Sequence, residues 1–246
     1  RSMSMREFER SLDSLNAMFA FTRETFSKES IDERLHPVVD LALEELFTNV
    51  VKYATETRSR VRVDVGKVPN GVEVTLTDHD VDFFDVTRTA DVDINAPLEE
   101  RNPGGLGLHL IKKMVEFFEY QYLEESRTSR ITFRCTAPER RRKPRDKNML
   151  AIEQGANGHV LVAGRFDAAQ CSAAQAFLDK LTGSVTLDCS RLEYISSAGL
   201  GVLLKTQKRL MASSGGLRLA GVSRHLRDIF QYSGFDQIFE IEAAAD

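Results

Sequence analysis

Apolar side chains recur at helical spacing through residues 5–29, MREFERSLDSLNAMFAFTRETFSKE. They do so again through 31–54, IDERLHPVVDLALEELFTNVVKYA, after a candidate N-cap at Ser30 or Asp32. The spacing predicts two long helices. The period then drops to two: RVRVDVG (60–66) and VEVTLTD (72–78) alternate on either side of the turn signal PNG, as the strands of a hairpin do. A long polar and acidic stretch follows and ends at Asn102-Pro103-Gly104-Gly105. GLGLHLIKKMVEFF (105–118) predicts a helix that opens on the glycines, and FEYQYLEE (118–125) and RITFRC (130–135) predict two more strands. Helices grouped against a mainly antiparallel sheet make this half an α+β domain.

The pattern breaks at 138–148, PERRRKPRDKN, which holds two prolines and where six basic residues stand against Glu139 and Asp146. With no apolar periodicity the segment reads as a solvated basic linker. Beyond it strands and helices alternate. HVLVAGRFDA (159–168), SVTLDCS (184–190), LRLAGV (217–222) and the short FDQIFEI (235–241) read as strands. AAQAFLDKL (173–181), AGLGVLLKTQKRLMAS (198–213) and SRHLRDIFQYSG (223–234) read as the helices between them. Such alternation implies a parallel or mixed sheet with crossover helices. The expected organisation is an α+β domain over 3–137, a basic linker over 138–149 and a small α/β domain over 150–246.

Composition narrows the function classes. With 42% hydrophobic and 28% charged residues, each half can bury a core. The net charge of −4 provides no global basic field, so nucleic acid is not an expected partner. Cys135, Cys171 and Cys189 lie far apart without metal-ligand spacing, which argues against a disulfide framework or a zinc site. No stretch approaches a membrane span, and the N-terminal residues carry no apolar signal core. A cytoplasmic protein that makes no membrane contact is expected.

Candidate chemistry in the first half begins on the second predicted helix. Glu45 and Asn49 stand four apart, so both project from one helix face, one turn apart. An amide inside the apolar run LFTNVV needs a partner, although a solvated helix face also accommodates both residues. Asp78 closes a predicted strand. Gly104, Gly105 and Gly107 open a helix after a long loop. Glycines there let backbone amides approach a ligand, and a helix N-terminus favours an anion such as a phosphate.

EELFTNVVKYA, LTDHDVDFFDVT and APLEERNPGGLGLHLIKKMV resemble the N-box, first glycine box, lid and second glycine box of the GHKL ATPases, and most of all those of the bacterial anti-sigma factor serine kinases. The resemblance covers about residues 5–136. It implies that Glu45 activates an attacking hydroxyl and that Asn49 holds Mg²⁺ against the triphosphate of ATP. It also implies that Asp78 accepts from the adenine amino group. Gly104, Gly105 and Gly107, with Leu108 beside them, would meet the phosphates. Each role is chemically sound: Mg²⁺ keeps phosphate and water ligands and needs few from protein, and a carboxylate near a serine can take its proton. Lys52, one turn beyond Asn49, could neutralise phosphate charge or simply lie exposed. One position departs from the pattern: the first glycine box reads Asp78-His79-Asp80 where the family has D-x-G, and an acid near a nucleotide is unfavourable unless it faces solvent or a cation. His79 and His109 read as structural or exposed, and no phosphoacceptor histidine helix is visible.

In the second half GRFD (164–167), YISSAGLGVLL (194–204) and SGFDQIFEI (233–241) resemble the STAS domain of anti-sigma factor antagonists. These carry D-S-S/T-G at the strand-to-helix junction, with the first serine phosphorylated by the partner kinase. That serine falls on Ser197; Ser196 replaces the acid and is the alternative acceptor. On its own a serine at this junction is most often an N-cap, but the same place also suits a phosphoacceptor. The combined expectation is a partner-switching regulator: an ATP- and Mg²⁺-dependent serine kinase module joined to a STAS module of the type it phosphorylates. Expected partners are a sigma factor or a STAS antagonist, including its own STAS module in cis or in trans, and a second copy in a homodimer. The alternative is a nucleotide-binding scaffold that controls partner binding without transferring phosphate.

Overall fold

The computed structural model describes residues 3–84, 93–97, 105–137, 149–155 and 158–244. It divides into two compact units, one made of residues 1–90 and 111–145, the other of 91–110 and 146–246. Residues 138–148 of the expected basic linker lie outside the described residues, as does most of the acidic loop before Gly105.

In the first unit β1 (Met3–Phe8), β2 (Val61–Val68), β3 (Gly71–Asp78), β4 (Phe117–Leu123) and β5 (Thr128–Thr136) form one sheet in the order β1-β2-β3-β5-β4. Every pairing is antiparallel. Alternation explains its two faces. Val61, Val63, Val65, Val72, Val74, Leu76, Ile131 and Phe133 are buried on the face that α1 (Ser14–Glu29) and α2 (His36–Tyr53) cover. The other face is polar, with Arg62 paired to Asp64, Arg134 to Glu73, and Thr75 hydrogen-bonded to Thr132 at 3.0 Å. The helices contribute Met18, Phe19, Phe26, Leu43 and Phe47 to the core.

Three boundaries differ from the sequence expectation. Residues 3–8 are a strand, not the first turns of a helix. MSMREF also alternates, and the open edge of β2 pairs with it from Met3↔Gly66 to Phe8↔Val61, which decides the period. The second helix starts at His36; Asp32 caps a separate 3-10 turn, Glu33–Leu35, by accepting from the Arg34 amide at 3.0 Å. Ser30 instead ends α1 in the left-handed region. The glycine-opened helix α3 (Leu106–Met114) stops before Phe117 and Phe118, which belong to β4. The Glu116 amide already bonds the Arg134 carbonyl at 2.9 Å, so the ladder takes over there.

In the second unit β6 (Ala151–Gln154), β7 (His159–Phe166), β8 (Ser184–Ile195), β9 (Gly216–Val222) and β10 (Glu240–Ala243) lie in the order β10-β9-β8-β7-β6. β7 to β10 are parallel and β6 is an antiparallel edge, the mixed sheet that the crossovers imply. Helices α4 (Cys171–Leu178), α5 (Ser197–Ala212) and α6 (Arg224–Tyr232) make those connections. FDQIFEI divides into a 3-10 turn, Phe235–Gln237, and the strand β10. The short β6 has too little pattern to be read in advance. Gln207 of α5 crosslinks this unit from inside: its side chain accepts from the Leu217 amide at 2.6 Å and donates to the Ile238 carbonyl at 3.1 Å.

Candidate functional site

On α2 every residue from Val39 to Phe47 except Glu45 is buried; Val51 is less enclosed and Tyr53 exposed, and the less enclosed polar positions over the second half of the helix are Glu45, Thr48, Asn49 and Lys52. These follow one another at i, i+3, i+4 and i+7, a single stripe along the helix. Glu45 and Asn49 are half-buried, held by a helix whose residues Val39–Glu44, Leu46, Phe47 and Val50 are buried. Lys52 is exposed, its Nζ 4.9 Å from the Tyr53 ring centroid. The stripe therefore offers a carboxylate, an amide and an ammonium in sequence. Among the described residues no group of three or more His, Cys, Asp or Glu could hold a metal by itself.

Asp78 ends β3 and is buried. It is not alone there. Arg10, in the connection between β1 and α1, donates from Nη2 to Asp78 Oδ1 and from Nε to the Ser59 carbonyl at 2.8 Å. Burial raises the Asp78 pKa, and the hydrogen bond and charge of Arg10 oppose that shift without cancelling it. The following loop answers the question raised by Asp80. Asp80 sits in the left-handed region, φ 59°, where its family counterpart is glycine and where Asp is among the better-tolerated side chains. Its carboxylate is exposed and turned to Arg127, whose Nη1 is 3.0 Å from Asp80 and whose Nη2 is 2.9 Å from Asp82. The Val81 amide bonds the Arg127 carbonyl at 2.9 Å, and the Tyr122 hydroxyl donates to the Val81 carbonyl at 2.9 Å. The acid thus faces a cation, and the loop is fastened to the β4–β5 connection. His79 Nδ1 lies 3.1 Å from Thr128 Oγ1 on the same rim.

Gly104 lies outside the described residues. Gly105 has φ 79°, a conformation that favours glycine, and it leads directly into α3. Gly107 and Leu108 form the first turn and are buried. The Leu108 side chain packs in the core, leaving its backbone as the part able to meet a ligand.

In the second unit Ser196 is the N-cap of α5, wholly buried, its Oγ accepting from the Gly199 amide at 3.2 Å. Ser197 is the first helical residue and is half-exposed, so one hydroxyl caps the helix and the other stands at its N-terminus. The junction is seated on the end of β7: Phe166 pairs with Ile195, and the Ser196 amide bonds the Phe166 carbonyl at 3.0 Å. The next residue, Asp167, is 1% exposed and neither carboxylate oxygen makes a hydrogen bond of ordinary geometry among the described residues. Burial raises its pKa; Arg165 and the Gln170 and Ala169 amides pull the other way more weakly. The Arg165 guanidinium itself lies 4.1 Å above the ring of the buried Tyr194.

Residues 8–134 match the family model of the histidine kinase-like ATPase domain. The chain belongs to that ATPase family. Residues 150–241 match the model of the Mlab, STAS domain, so an α+β GHKL-type ATPase domain is followed by an α/β STAS domain. Over 72 residues the chain is 46% identical to a Bordetella bronchiseptica protein that carries the name anti-sigma factor antagonist BtrV. The match takes in 28% of this chain and spans 62% of the length of that relative. Similar solved structures include Bacillus SpoIIAA in its phosphorylated form, 22% identical over 38% of this chain and 90% of that one, TM-score 0.31. The unphosphorylated form of SpoIIAA is also 22% identical, over 38% and 87%, TM-score 0.33. The RsbU and RsbW domains of Rv1364c from Mycobacterium tuberculosis are 13% identical over 55% of this chain and 32% of that one, TM-score 0.39.

Membership in the ATPase family implies ATP as the nucleotide. The residues that sequence reasoning singled out in the ATPase domain fall on two supports, the α2 stripe and the end of β3, with Gly105, Gly107 and Leu108 at the start of α3. It missed Arg10, Arg127 and the burial of Asp167. Arg10 and Arg127 act across long sequence separations, and no local spacing marks them. GRFD did mark Asp167, but only as part of a resemblance. Among the described residues no helix is long and apolar enough to cross a membrane.

Proposed function

We propose that the ATPase domain is a protein serine kinase of the anti-sigma type and that the STAS domain is the kind of substrate it phosphorylates, the two acting in a partner switch. One observation carries the reading: a single chain combines an ATPase α2 stripe of Glu45, Asn49 and Lys52 with a half-exposed Ser197 at the first position of a 16-residue helix. In the transfer, Ser197 Oγ bonds to the γ-phosphorus of ATP while the bond from that phosphorus to the β–γ bridging oxygen breaks, and ADP leaves. Glu45 takes the hydroxyl proton. Asn49 would give a Mg²⁺ one amide oxygen, the phosphates and water supplying the rest; the metal would supply charge neutralisation. Lys52 adds a cation at the exposed end of the stripe.

The product serine gains close to two negative charges at a helix start, where the backbone amides and dipole favour them. The same charges would alter any surface that includes Ser197, and so release or recruit a partner. The partners are a sigma factor or a STAS antagonist at the ATPase domain, and a second copy of the chain in a homodimer. A second reading, a nucleotide-binding scaffold that switches partners without transfer, is favoured by Asp80 at a glycine position and by Ser196 in place of an acid.

Incubation with Mg-ATP followed by intact-mass measurement separates them. One phosphoryl group per chain is expected, absent in Ser197→Ala, and formed about 10²- to 10⁴-fold more slowly in Glu45→Gln while ATP binding persists. ATP bound tightly with no phosphoprotein at any time overturns the kinase and leaves the scaffold.

A further inference from the structure

The pairing at the end of β3 leaves a donor over. Arg10 has a side chain only 9% exposed. Its Nη2 is committed to Asp78 and its Nε to the Ser59 carbonyl, but Nη1 is buried with no hydrogen-bond partner among the described residues. A buried guanidinium N–H without an acceptor is rare because its desolvation is uncompensated. It is therefore a donor with its hydrogen bond still to make. On Asp78, Oδ1 takes the Arg10 bond, which leaves Oδ2 as the acceptor for a further donor. The fork is also fixed in position. Ser59, which holds Nε, is tied back through its amide to Thr57 Oγ1 at 3.1 Å, and Glu56 Oε1 accepts from the Asp82 amide at 3.1 Å. These bonds link the 56–59 segment to the loop that follows Asp78.

We propose that Arg10 and Asp78 act as a two-point reader of the nucleobase edge, Asp78 accepting from the exocyclic amino group of adenine and Arg10 Nη1 donating to the neighbouring ring nitrogen N1. The inference rests on the reading of the first domain as an ATP site and makes its base selectivity a property of two residues. Adenine presents a donor beside an acceptor, the complement of a carboxylate beside a guanidinium. Guanine in the same pose presents the reverse, O6 to Asp78 and N1–H to Arg10, so both contacts become repulsive. Arg10 is a specificity-determining residue, and a lysine in its place keeps the charge opposite Asp78 but not the planar fork that serves three acceptors at once.

Equilibrium binding of ATP, GTP and 1-deaza-ATP to the full chain, with its Arg10→Lys and Arg10→Met variants checked for native circular dichroism, tests this. The wild type is expected to bind 1-deaza-ATP at least about tenfold more weakly than ATP, the loss of one charge-assisted hydrogen bond, and GTP more weakly still. Arg10→Lys is expected to weaken ATP while binding ATP and 1-deaza-ATP alike. Wild-type binding that is indifferent to N1, or discrimination that survives intact in Arg10→Lys, overturns the reader even where ATP binds well. Absence of ATP binding by the wild type overturns the reader together with the ATP site.

Discussion

Two buried aspartates stand at strand ends in different sheets, Asp78 closing β3 and Asp167 just after β7, yet the same substitution should move stability in opposite directions. Both carboxyls are pushed above the usual carboxylate range by burial. For each, the native state holds its proton longer than the unfolded chain does, so stability falls as pH rises from the ordinary value of 3.8 through the raised one. What differs is the neighbour. Asp167 makes no hydrogen bond of ordinary geometry among the described residues, and burial outweighs the pull of Arg165 and of the Gln170 and Ala169 amides, so at neutral pH its charge is a net cost, and Asp167→Asn is expected to stabilise the chain by roughly 1–3 kcal/mol. That advantage should shrink as pH is lowered toward 3.8, where the wild-type carboxyl is neutral as well. Asp78 instead carries the Arg10 ion pair. Asp78→Asn strands a buried guanidinium and is expected to destabilise by about 3–5 kcal/mol. Urea unfolding followed by circular dichroism at neutral and acid pH reads both. A wild-type chain more stable than Asp167→Asn at neutral pH would mean that Asp167 has a stabilising contact after all.

At the scale of elements, Gly199 decides how α5 meets β7. A Cβ built there would stand 2.8 Å from the Phe166 carbonyl oxygen and 2.9 Å from Ile195 Cγ1. The carbonyl cannot yield freely because it accepts the Ser196 amide. Gly199→Ala would gain about 1 kcal/mol in helix propensity but overpacks the junction, a cost of about 1–3 kcal/mol. Net destabilisation is expected, read as a lower melting temperature with the far-ultraviolet spectrum retained. The elements themselves were legible where one period ruled: β2 and β3 alternate without ambiguity, and α2 carries its buried face through every turn. MSMREF fits two periods, and only its partner strand more than fifty residues later selects one. The site divides in the same way. Glu45 and Asn49 stood out in the sequence because helical spacing joins them, and Asp78 because it ends a strand. Arg10 was not, because it meets Asp78 across 68 residues. The tolerance of Asp80 was hidden too, since it depends on Arg127 from another hairpin.

For the molecule as a whole, the proposed joining of a kinase to its substrate on one chain would have a kinetic consequence. The twelve residues of 138–149 span at most about 40 Å when extended, and as a coil about 20 Å on average. A tether of that length holds the STAS domain at a millimolar-range effective concentration, provided the two sites can meet within its reach. At micromolar protein the intramolecular route should then outrun encounter between chains by two or three orders of magnitude, and the first-order rate constant for phosphorylation of Ser197 should stay unchanged on dilution. A stable homodimer would also give a first-order rate with transfer between its protomers, so dilution alone does not identify the route. Mixing Glu45→Gln chains with Ser197→Ala chains does, because phosphate can then appear only on a chain other than the one that transfers it. Transfer within one chain predicts a mixture that is far slower than wild type and slows further with dilution. Transfer across a dimer predicts a mixture that, once subunits have exchanged, keeps a constant fraction of the wild-type rate at every concentration. A wild-type rate that falls in proportion to concentration would show that the tether does not deliver Ser197 to Glu45 at all, and the STAS domain would then compete for the kinase site with STAS proteins on equal terms.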